Sequence, residues 1–243
     1  EFEPVMNLRE YRRSNTQLWD FLPWAALVDE GIVLNKDGSF QRTARFRGPD
    51  LDSAVPAELV GVAGRLNNAL RRLGSGWAVF VEAQRYQANQ YPEGHFPDVA
   101  SALVDVERRA QFEQEGAHYE SSYFLTLLYL PPPEEVGRAE RLLYEGRDRS
   151  GDADAHEIQR GFVDRTDRVL GLLEGIMPEL RWLDDEETLT YLHSTVSTRR
   201  QRVRVPEIPM YLDAVLADQP LIGGLEPMLG NSHLRVLTIV GFP

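Results

Sequence analysis

The sequence contains no cysteine and only one lysine among its 243 residues. Without cysteine the chain can form no disulfide, no thiolate nucleophile and no cysteine-ligated zinc site, and this composition fits a reducing compartment. Long apolar runs are also missing. The longest nearly apolar stretch, residues 123–130, is far shorter than the roughly 20 residues that span a bilayer. We therefore expect a cytoplasmic domain without a transmembrane segment.

A surplus of positive charge is absent as well. The chain has 38 acidic and 26 basic residues and a formal net charge of −12, which argues against bulk attraction to nucleic acid or anionic lipid. Any such binding must come from a local basic patch. Hydrophobic residues make up 42% of the chain, which is enough to build a sizeable core, so a globular protein is expected.

Short apolar runs alternate with longer amphipathic stretches along the chain. A first strand ends near Asn35, a turn covers residues 35–38, and a second strand begins at Ser39. Helices are predicted at residues 56–73, 99–114, 155–177 and from 184 onward, and strands at 77–84, 121–130, and in the tail at 210–218 and 234–243. Residues 134–154 are expected to hold a short helix and a polar loop. The order is roughly β-β-α-β-α-β-α-α-β-β, an α+β fold with a largely antiparallel sheet and helices packed on one face.

The single lysine, Lys36, is the one candidate for the phosphate-gripping lysine of a nucleotide-binding P-loop. That motif, G-x-x-x-x-G-K-[ST], places glycines before the lysine and a hydroxyl residue after it. Lys36 lacks the glycines and is followed by Asp37, whose carboxylate would repel a phosphate. Asn35 and Gly38 are typical residues of a tight hairpin turn. We therefore predict a turn here rather than a nucleotide site.

Other catalytic patterns are incomplete. The H-E-x-x-H pattern of zinc proteases begins at His156, but Arg160 occupies the second ligand position, and a cation there repels a metal. The acidic run that starts at Asp184 suits the positive end of a helix dipole better than it suits a cation. The remaining histidines occur singly, at His95, His118, His193 and His233. We predict no catalytic residue, no metal site and no cofactor site in this chain.

Two sets of arginines are candidates for contact with phosphates or with a partner's carboxylates. The first set lies on the second predicted strand and consists of Arg42, Arg45 and Arg47, of which Arg42 falls on the apolar face. The second follows the helix that starts near residue 184 and consists of Arg200, Arg202 and Arg204, preceded by Arg199. The alternative interpretation of both sets is a salt-bridged surface or a subunit interface.

Three long stretches of the sequence resemble one known family. They are "FLPWAALVDEGIVLNKDGSFQRTARFRGPDL" at residues 21–51, "TLTYLHSTVSTRRQRVRVPEIPMYLDAVLAD" at 188–218, and "GGLEPMLGNSHLRVLTIVGFP" at 223–243. In this order they are similar to the N-terminal region of the CagE/TrbE/VirB family of type IV secretion ATPases, closest to its TrbE class of conjugal transfer proteins. Full-length members are longer and carry Walker A and B motifs in a C-terminal RecA-like domain. We expect residues 1–5 to be a cloning scar and residues 6–243 to be the N-terminal domain without the RecA-like domain.

The resemblance implies an ATPase subunit that is docked under the inner-membrane translocation channel and powers pilus assembly and substrate transfer. ATP and Mg²⁺ would bind the missing domain, while the N-terminal region would contact inner-membrane subunits and sister ATPase subunits. The leading hypothesis is therefore a non-catalytic docking domain, peripheral at the inner membrane, whose partner interface includes Trp19, Phe21 and Trp24 in the apolar segment near the N-terminal end. The alternative hypothesis is a module that holds transferred DNA through the two arginine sets.

Overall fold

The computed structural model describes residues 17–88, 91–114, 116, 118–133, 135–136, 152–208 and 210–238. The predicted cloning scar, most of the segment predicted as a short helix and polar loop, and the end of the last predicted strand lie outside these residues. The described elements are α1 (Leu18–Phe21), β1 (Trp24–Asp29), β2 (Ile32–Asn35), β3 (Phe40–Arg47), α2 (Pro56–Leu70), β4 (Trp77–Ala88), α3 (Val99–Gln114), β5 (His118–Tyr129), α4 (Asp152–Glu174), β6 (Glu179–Trp182), α5 (Asp185–Val196), α6 (Leu212–Leu216), β7 (Leu221–Ile222), β8 (Met228–Leu229) and β9 (Ser232–His233).

The main sheet has six antiparallel strands in the order β1-β2-β3-β5-β4, with β6 paired to β3. One edge of β3 pairs with β5 along residues 40–46. The other edge is shared, because β2 pairs with residues 40–42 and β6 with residues 44–47. The strands β7, β8 and β9 form a separate small sheet. The predicted α+β class and the rough element order are confirmed.

The turn between β2 and β3 is the predicted hairpin. The amide of Asn35 donates to the carbonyl of Ser39 at 2.8 Å, and Gly38 has a positive φ of 80°, which costs glycine little. The Asp37 carboxylate accepts hydrogen bonds from the amide and the hydroxyl of Ser39. Lys36 therefore lies at the tip of a turn, without the run of backbone donors that a phosphate loop provides.

Helices α2 and α4 cover one face of the sheet. Leu125 and Leu127 of β5 pack with Leu73, which follows α2, and with Leu173 of α4. Nearer to β2, Phe162 of α4 stacks at 5.6 Å on Phe40 and at 5.6 Å on Trp77 of β4. This aromatic cluster and the leucine cluster together form the core on this face.

Helices α1, α5 and α6 cover the opposite face, where no helices were predicted. Phe124 of β5 and Val33 of β2 pack with Leu189 and Leu192 of α5 and with Leu216 of α6. Phe124 and Leu125 are neighbours along a strand and so point to opposite faces. The sheet is therefore a middle layer between two sets of helices.

The C-terminal part of the chain contains two local differences from the prediction. Residues 210–218 were expected to be β structure, but Leu212–Leu216 form α6 with Leu212 and Leu216 buried. Spacing by four residues places these two leucines on the same helical face, which buries both of them. Residues 234–238 belong to no strand, and Val236 and Leu237 are exposed.

The start of α5 is held by several charged contacts. Asp184 accepts a hydrogen bond from the amide of Glu187 at 2.8 Å, and Glu187 accepts one from the amide of Asp184 at 3.2 Å, a reciprocal capping box. Arg181 of β6 donates two hydrogen bonds of 2.6 Å to Glu187. These bonds hold the pKa of the Glu187 carboxyl below its ordinary value of 4.5. Asp185 accepts a hydrogen bond from the amide of Gly31 at 2.7 Å, which ties the β1–β2 turn to this helix.

We expect Glu187 to make the protein more sensitive to acid. Because its pKa is lowered in the folded state, its contribution is present above the ordinary value and is lost as pH falls through the lower folded value. Glu187→Gln and Arg181→Gln should therefore each show a smaller loss of unfolding free energy between about pH 7 and about pH 3. Urea unfolding at a series of pH values measures this. A loss as steep as that of the unmodified chain in both variants would contradict the assignment.

Candidate protein-docking surface

Helix α1 presents two aromatic side chains at the surface of the chain. It has only four residues, and the buried side chains of Leu18 and Leu22 anchor its two ends in the core. The amide of Gln17 donates to the carboxylate of Asp20 at 2.8 Å, which closes its first turn. Between these anchors Trp19 is 46% exposed and Phe21 is 62% exposed. The two aromatic side chains therefore face outward from a backbone that is held at both ends.

The lysine of the hairpin turn holds this helix in place. Lys36 Nζ donates to the carbonyl oxygen of Trp19 at 3.0 Å and lies 2.7 Å from Oδ2 of Asp213 in α6. A single ammonium group thus joins α1, the β2–β3 turn and α6. Because the pair is partly exposed, its direct contribution to stability is small. Its main effect is to set the position of α1 relative to α6.

A groove of about 640 Å³ lies between α1 and α6. Trp19 and Tyr211 line it, and Tyr211 is 56% exposed. Its other apolar lining consists of the small side chains Ala25, Ala214 and Ala217. We call this groove the docking surface, and we include in it Phe21, which is exposed on the same short helix as Trp19. Exposed aromatic rings around a small-residue floor resemble the anchor pockets of protein interfaces.

Trp24, which was predicted to belong to the partner interface, lies elsewhere. It is 7% exposed and packs in the core with Leu18, Leu22 and Leu212. The prediction treated it as part of one apolar segment with Trp19 and Phe21. In the structure that segment divides at Pro23 into α1 and β1, and Trp24 is the first residue of the strand. Trp24 is a core residue and forms no part of the docking surface.

The first arginine set is divided between the two faces of the sheet. Arg42 points toward α4, where its guanidinium lies 2.7 Å from Asp167 and 4.3 Å from the ring centre of Trp182. Arg45 and Arg47 point to the other face, as strand alternation requires. Both are exposed, and Arg47 lies 3.5 Å from Glu179. The structure therefore does not bring the three arginines together.

The second arginine set is exposed and largely paired within the chain. Arg200 lies over the ring of Tyr86 at 3.8 Å, and Arg202 lies 2.6 Å from Glu186. Arg199 lies 3.8 Å from Asp218. Arg204 is exposed and no ion pair is found for it in the described part of the chain. These contacts agree with the alternative interpretation of this set as a salt-bridged surface.

Tyr211 and Asp213 were not predicted as parts of the docking surface. Both belong to the stretch that was predicted as β structure, so their proximity to α1 could not be inferred. The signal that could have revealed them is the spacing of Leu212 and Leu216, which is typical of a short helix that buries one face.

Metal-binding clusters and membrane-spanning helices are both missing from the described residues. No group of three or more histidine or acidic side chains there could hold a metal ion. Across the same part of the chain, no helix has both the length and the apolar character needed to cross a membrane.

Comparison with known proteins gives concordant matches. The family described as type IV secretion system ATPase VirB4/TrbE, N-terminal domain, matches residues 31–136. The conjugal transfer protein TrbE of Rhizobium radiobacter is 34% identical over 255 aligned positions, which cover 98% of this chain and 31% of the relative. The chain thus spans about a third of the length of that relative.

A second relative is covered almost completely. It is a shorter chain of Sinorhizobium fredii (strain NBRC 101917 / NGR234), described as the first portion of a probable conjugal transfer protein TrbE. It is 39% identical over 146 residues, which cover 59% of this chain and 98% of the relative. With the matched family domain, this relative shows that the chain belongs to the VirB4/TrbE family of type IV secretion system ATPases and corresponds to its N-terminal region.

Proposed function

We propose that this domain docks a conjugal transfer ATPase onto an inner-membrane subunit of its secretion channel and is itself non-catalytic. The observation that carries the proposal is the docking surface, where α1 is fixed at both ends and holds Trp19 and Phe21 toward solvent. Exposed aromatic side chains on a backbone that is already held in place lose less conformational entropy on binding than those on an unordered segment, which favours their use as anchors. The protein would then work in the cytoplasm, peripheral at the inner membrane.

The lining of the groove indicates the chemistry of the partner segment. Its charged groups, Lys36 and Asp213, neutralise each other at 2.7 Å, so a strongly charged peptide gains little there. The alanine side chains leave space above them, while Trp19 and Tyr211 offer broad apolar surface. The best fit is a short apolar segment that inserts one or two large side chains, flanked by polar residues at the rim.

We expect Trp19→Ala combined with Phe21→Ala to weaken binding to the channel's short inner-membrane subunits at least tenfold, because each lost anchor costs about 1–2 kcal/mol or more. The measurement is a titration of the purified membrane subunits in detergent with the 243-residue chain. Trp24→Ala is unsuitable for this test, because removal of a buried tryptophan costs about 3–5 kcal/mol of stability.

The matched control is Leu103→Ala combined with Val106→Ala on α3. These side chains are 69% and 62% exposed, so this pair also removes apolar surface without touching the core. Its binding should equal that of the unmodified chain. If the two double variants lose affinity equally, the effect is general loss of apolar surface, and the assignment of the docking surface is wrong.

We also propose that this region binds no nucleotide and that ATP and Mg²⁺ bind elsewhere in the full-length ATPase. The support is the sequence around Lys36, which lacks the P-loop glycines, and the turn geometry, in which Lys36 is held by Trp19 and Asp213. A titration with a fluorescent ATP analogue and Mg²⁺ should give no saturable signal. A saturable signal that disappears in Lys36→Ala would show that the turn does bind phosphate.

DNA binding by the arginine sets is the less supported function. Arg42 is held by Asp167, and Arg202 is held by Glu186, so phosphate would have to displace carboxylates of the same chain. We expect no shift of duplex or single-stranded DNA by the chain at about 50 mM salt, where counterion release favours complexes most. A complex that weakens with added salt and is lost in Arg200→Ala with Arg204→Ala would contradict this expectation.

A further inference from the structure

We propose that β4 is a self-association edge, which pairs antiparallel with β4 of a second copy of this chain to form one continuous sheet. This inference goes beyond the proposed docking function and does not depend on it. The docking surface lies beside β1, whereas β4 forms the opposite edge of the sheet. Both contacts could therefore be made at the same time.

The first observation is an open and regular edge. β4 has twelve residues, a length of about 40 Å at 3.4 Å per residue. It pairs with β5 in one unbroken register from Trp77 opposite Tyr129 to Ala88 opposite His118. Within the described chain its other edge pairs with no strand. The amide and carbonyl groups along that edge are a template for another strand.

The second observation is the contrast between the two edges of the sheet. β1 contains two register irregularities, between Trp24 and Ala26 and between Leu27 and Asp29. Helix α6 packs against it. Bulges, prolines and covering segments are the usual means by which an edge is kept from pairing with other chains. β4 contains no bulge and no proline, so two of these three means of protection are missing from it.

The third observation is the apolar surface at the middle of β4. Val79, Phe80 and Val81 are 36%, 55% and 67% exposed. They lie on both faces of the sheet, because neighbouring side chains alternate. A second strand along this edge would cover all three from the side. Exposed apolar residues on a long unprotected edge are the usual mark of a strand-pairing surface.

Side-chain complementarity selects a second copy as the occupant. Two copies of β4 that pair antiparallel are related by a two-fold axis perpendicular to the sheet. Residues that lie directly opposite each other must point to the same face, so the axis passes through one residue of β4, which then lies opposite its own copy. Each candidate register is therefore named by that central residue. The two registers that pair the most residues are centred on Glu82 and on Ala83. The first places Glu82 directly opposite its own copy, and such like-charge pairs destabilise a sheet.

The register centred on Ala83 has favourable cross-strand pairs. Phe80 lies opposite Tyr86 of the second copy, an aromatic pair that occurs twice by symmetry. Glu82 lies opposite Gln84, so its charge meets a neutral side chain, whose amide nitrogen already donates to Glu82 and Ser194 of the same chain. Val81 lies opposite Arg85, whose long apolar stem can cover a valine. No like charges face each other in this register, and it pairs residues 78–88 of both copies.

The absence of cysteine from the chain allows a direct test by single-cysteine cross-linking. In the proposed register Ala83→Cys places the two thiols opposite each other, with Cβ atoms about 4.5–5.5 Å apart, close to what a disulfide requires. Val79→Cys is the matched control, because its two copies would lie about 27 Å apart along the strands. Under mild oxidation Ala83→Cys should form covalent dimers much faster than Val79→Cys. A mixture of Val79→Cys and Gln87→Cys should form heterodimers.

A charge-swap series separates pairing from folding. Val81→Lys places a lysine opposite Arg85 of the second copy, and the two-fold symmetry creates this like-charge pair at two places. Dimerisation should therefore weaken about tenfold, as measured by sedimentation across a concentration series. Val81→Lys combined with Arg85→Glu should restore it. The two positions are about 14 Å apart within one strand, so this rescue cannot arise inside a single chain.

Three outcomes would overturn the proposal. They are a monomer at every concentration, equal cross-linking at positions 83 and 79, or a charge swap that fails to restore the dimer. If β4 pairs only with a strand of a different protein, the purified chain stays a monomer at every concentration, and the proposal is wrong. Loss of membrane-subunit binding in the Trp19 and Phe21 double variant would leave this inference untouched, since the two surfaces lie on opposite edges of the sheet.

Discussion

The pairing of β6 with residues 44–47 of β3 is the contact on which both helical layers depend. β6 has only four residues, yet it follows α4 on one face of the sheet and precedes α5 on the other. A hydrogen bond of 3.0 Å from the amide of Leu183 to the carbonyl of Thr43 continues this attachment. A slip of one residue would exchange the faces of Trp182 and Arg181. The core under α4 would then receive a guanidinium, and the bidentate pair that holds Glu187 at the start of α5 would be lost.

Because β2 and β6 share one edge of β3, and β5 fills the other, the long unpaired edges of the sheet within the described chain are those of β1 and β4, beside a short one on the four-residue β6. The chain after α5 covers the edge of β1. Residues 205–208, 210 and 212 line a groove together with β1, and α6 then brings Tyr211 and Asp213 to the side of α1. One return of the chain therefore both protects an edge and builds the groove of the docking surface. Arg200, in the segment after α5, lies over the ring of Tyr86 of β4, but within the described chain no strand pairs with the free edge of β4.

Local signals in the sequence were sufficient for most elements but not for their arrangement. The helix at residues 99–114 and the turn at Asn35 to Gly38 were predicted where they occur, because apolar spacing and turn residues act over a few positions. The apolar segment around Trp24 was interpreted as one surface, since nothing in its composition shows that Pro23 separates a surface helix from a buried strand. The second helical layer could not be predicted either. It follows from the pairing of β6 with β3, between residues far apart in the chain, and such contacts leave no periodic signal.

Lys36 shows how a local prediction can be correct and still miss the role of a residue. The missing P-loop glycines excluded a nucleotide site, and Asn35 and Gly38 predicted a turn. The turn also places the ammonium group of Lys36 between α1 and α6, two elements whose proximity was not predicted. An ammonium is a compact charge on a flexible stem, so it can meet the carbonyl of Trp19 and the carboxylate of Asp213 together. An arginine would bring a wider planar group with fixed donor directions into the same space. The geometry of the docking surface therefore depends on a hairpin at the opposite end of the sequence from α6, and on its carrying a lysine in a chain whose other basic residues, histidine aside, are all arginine.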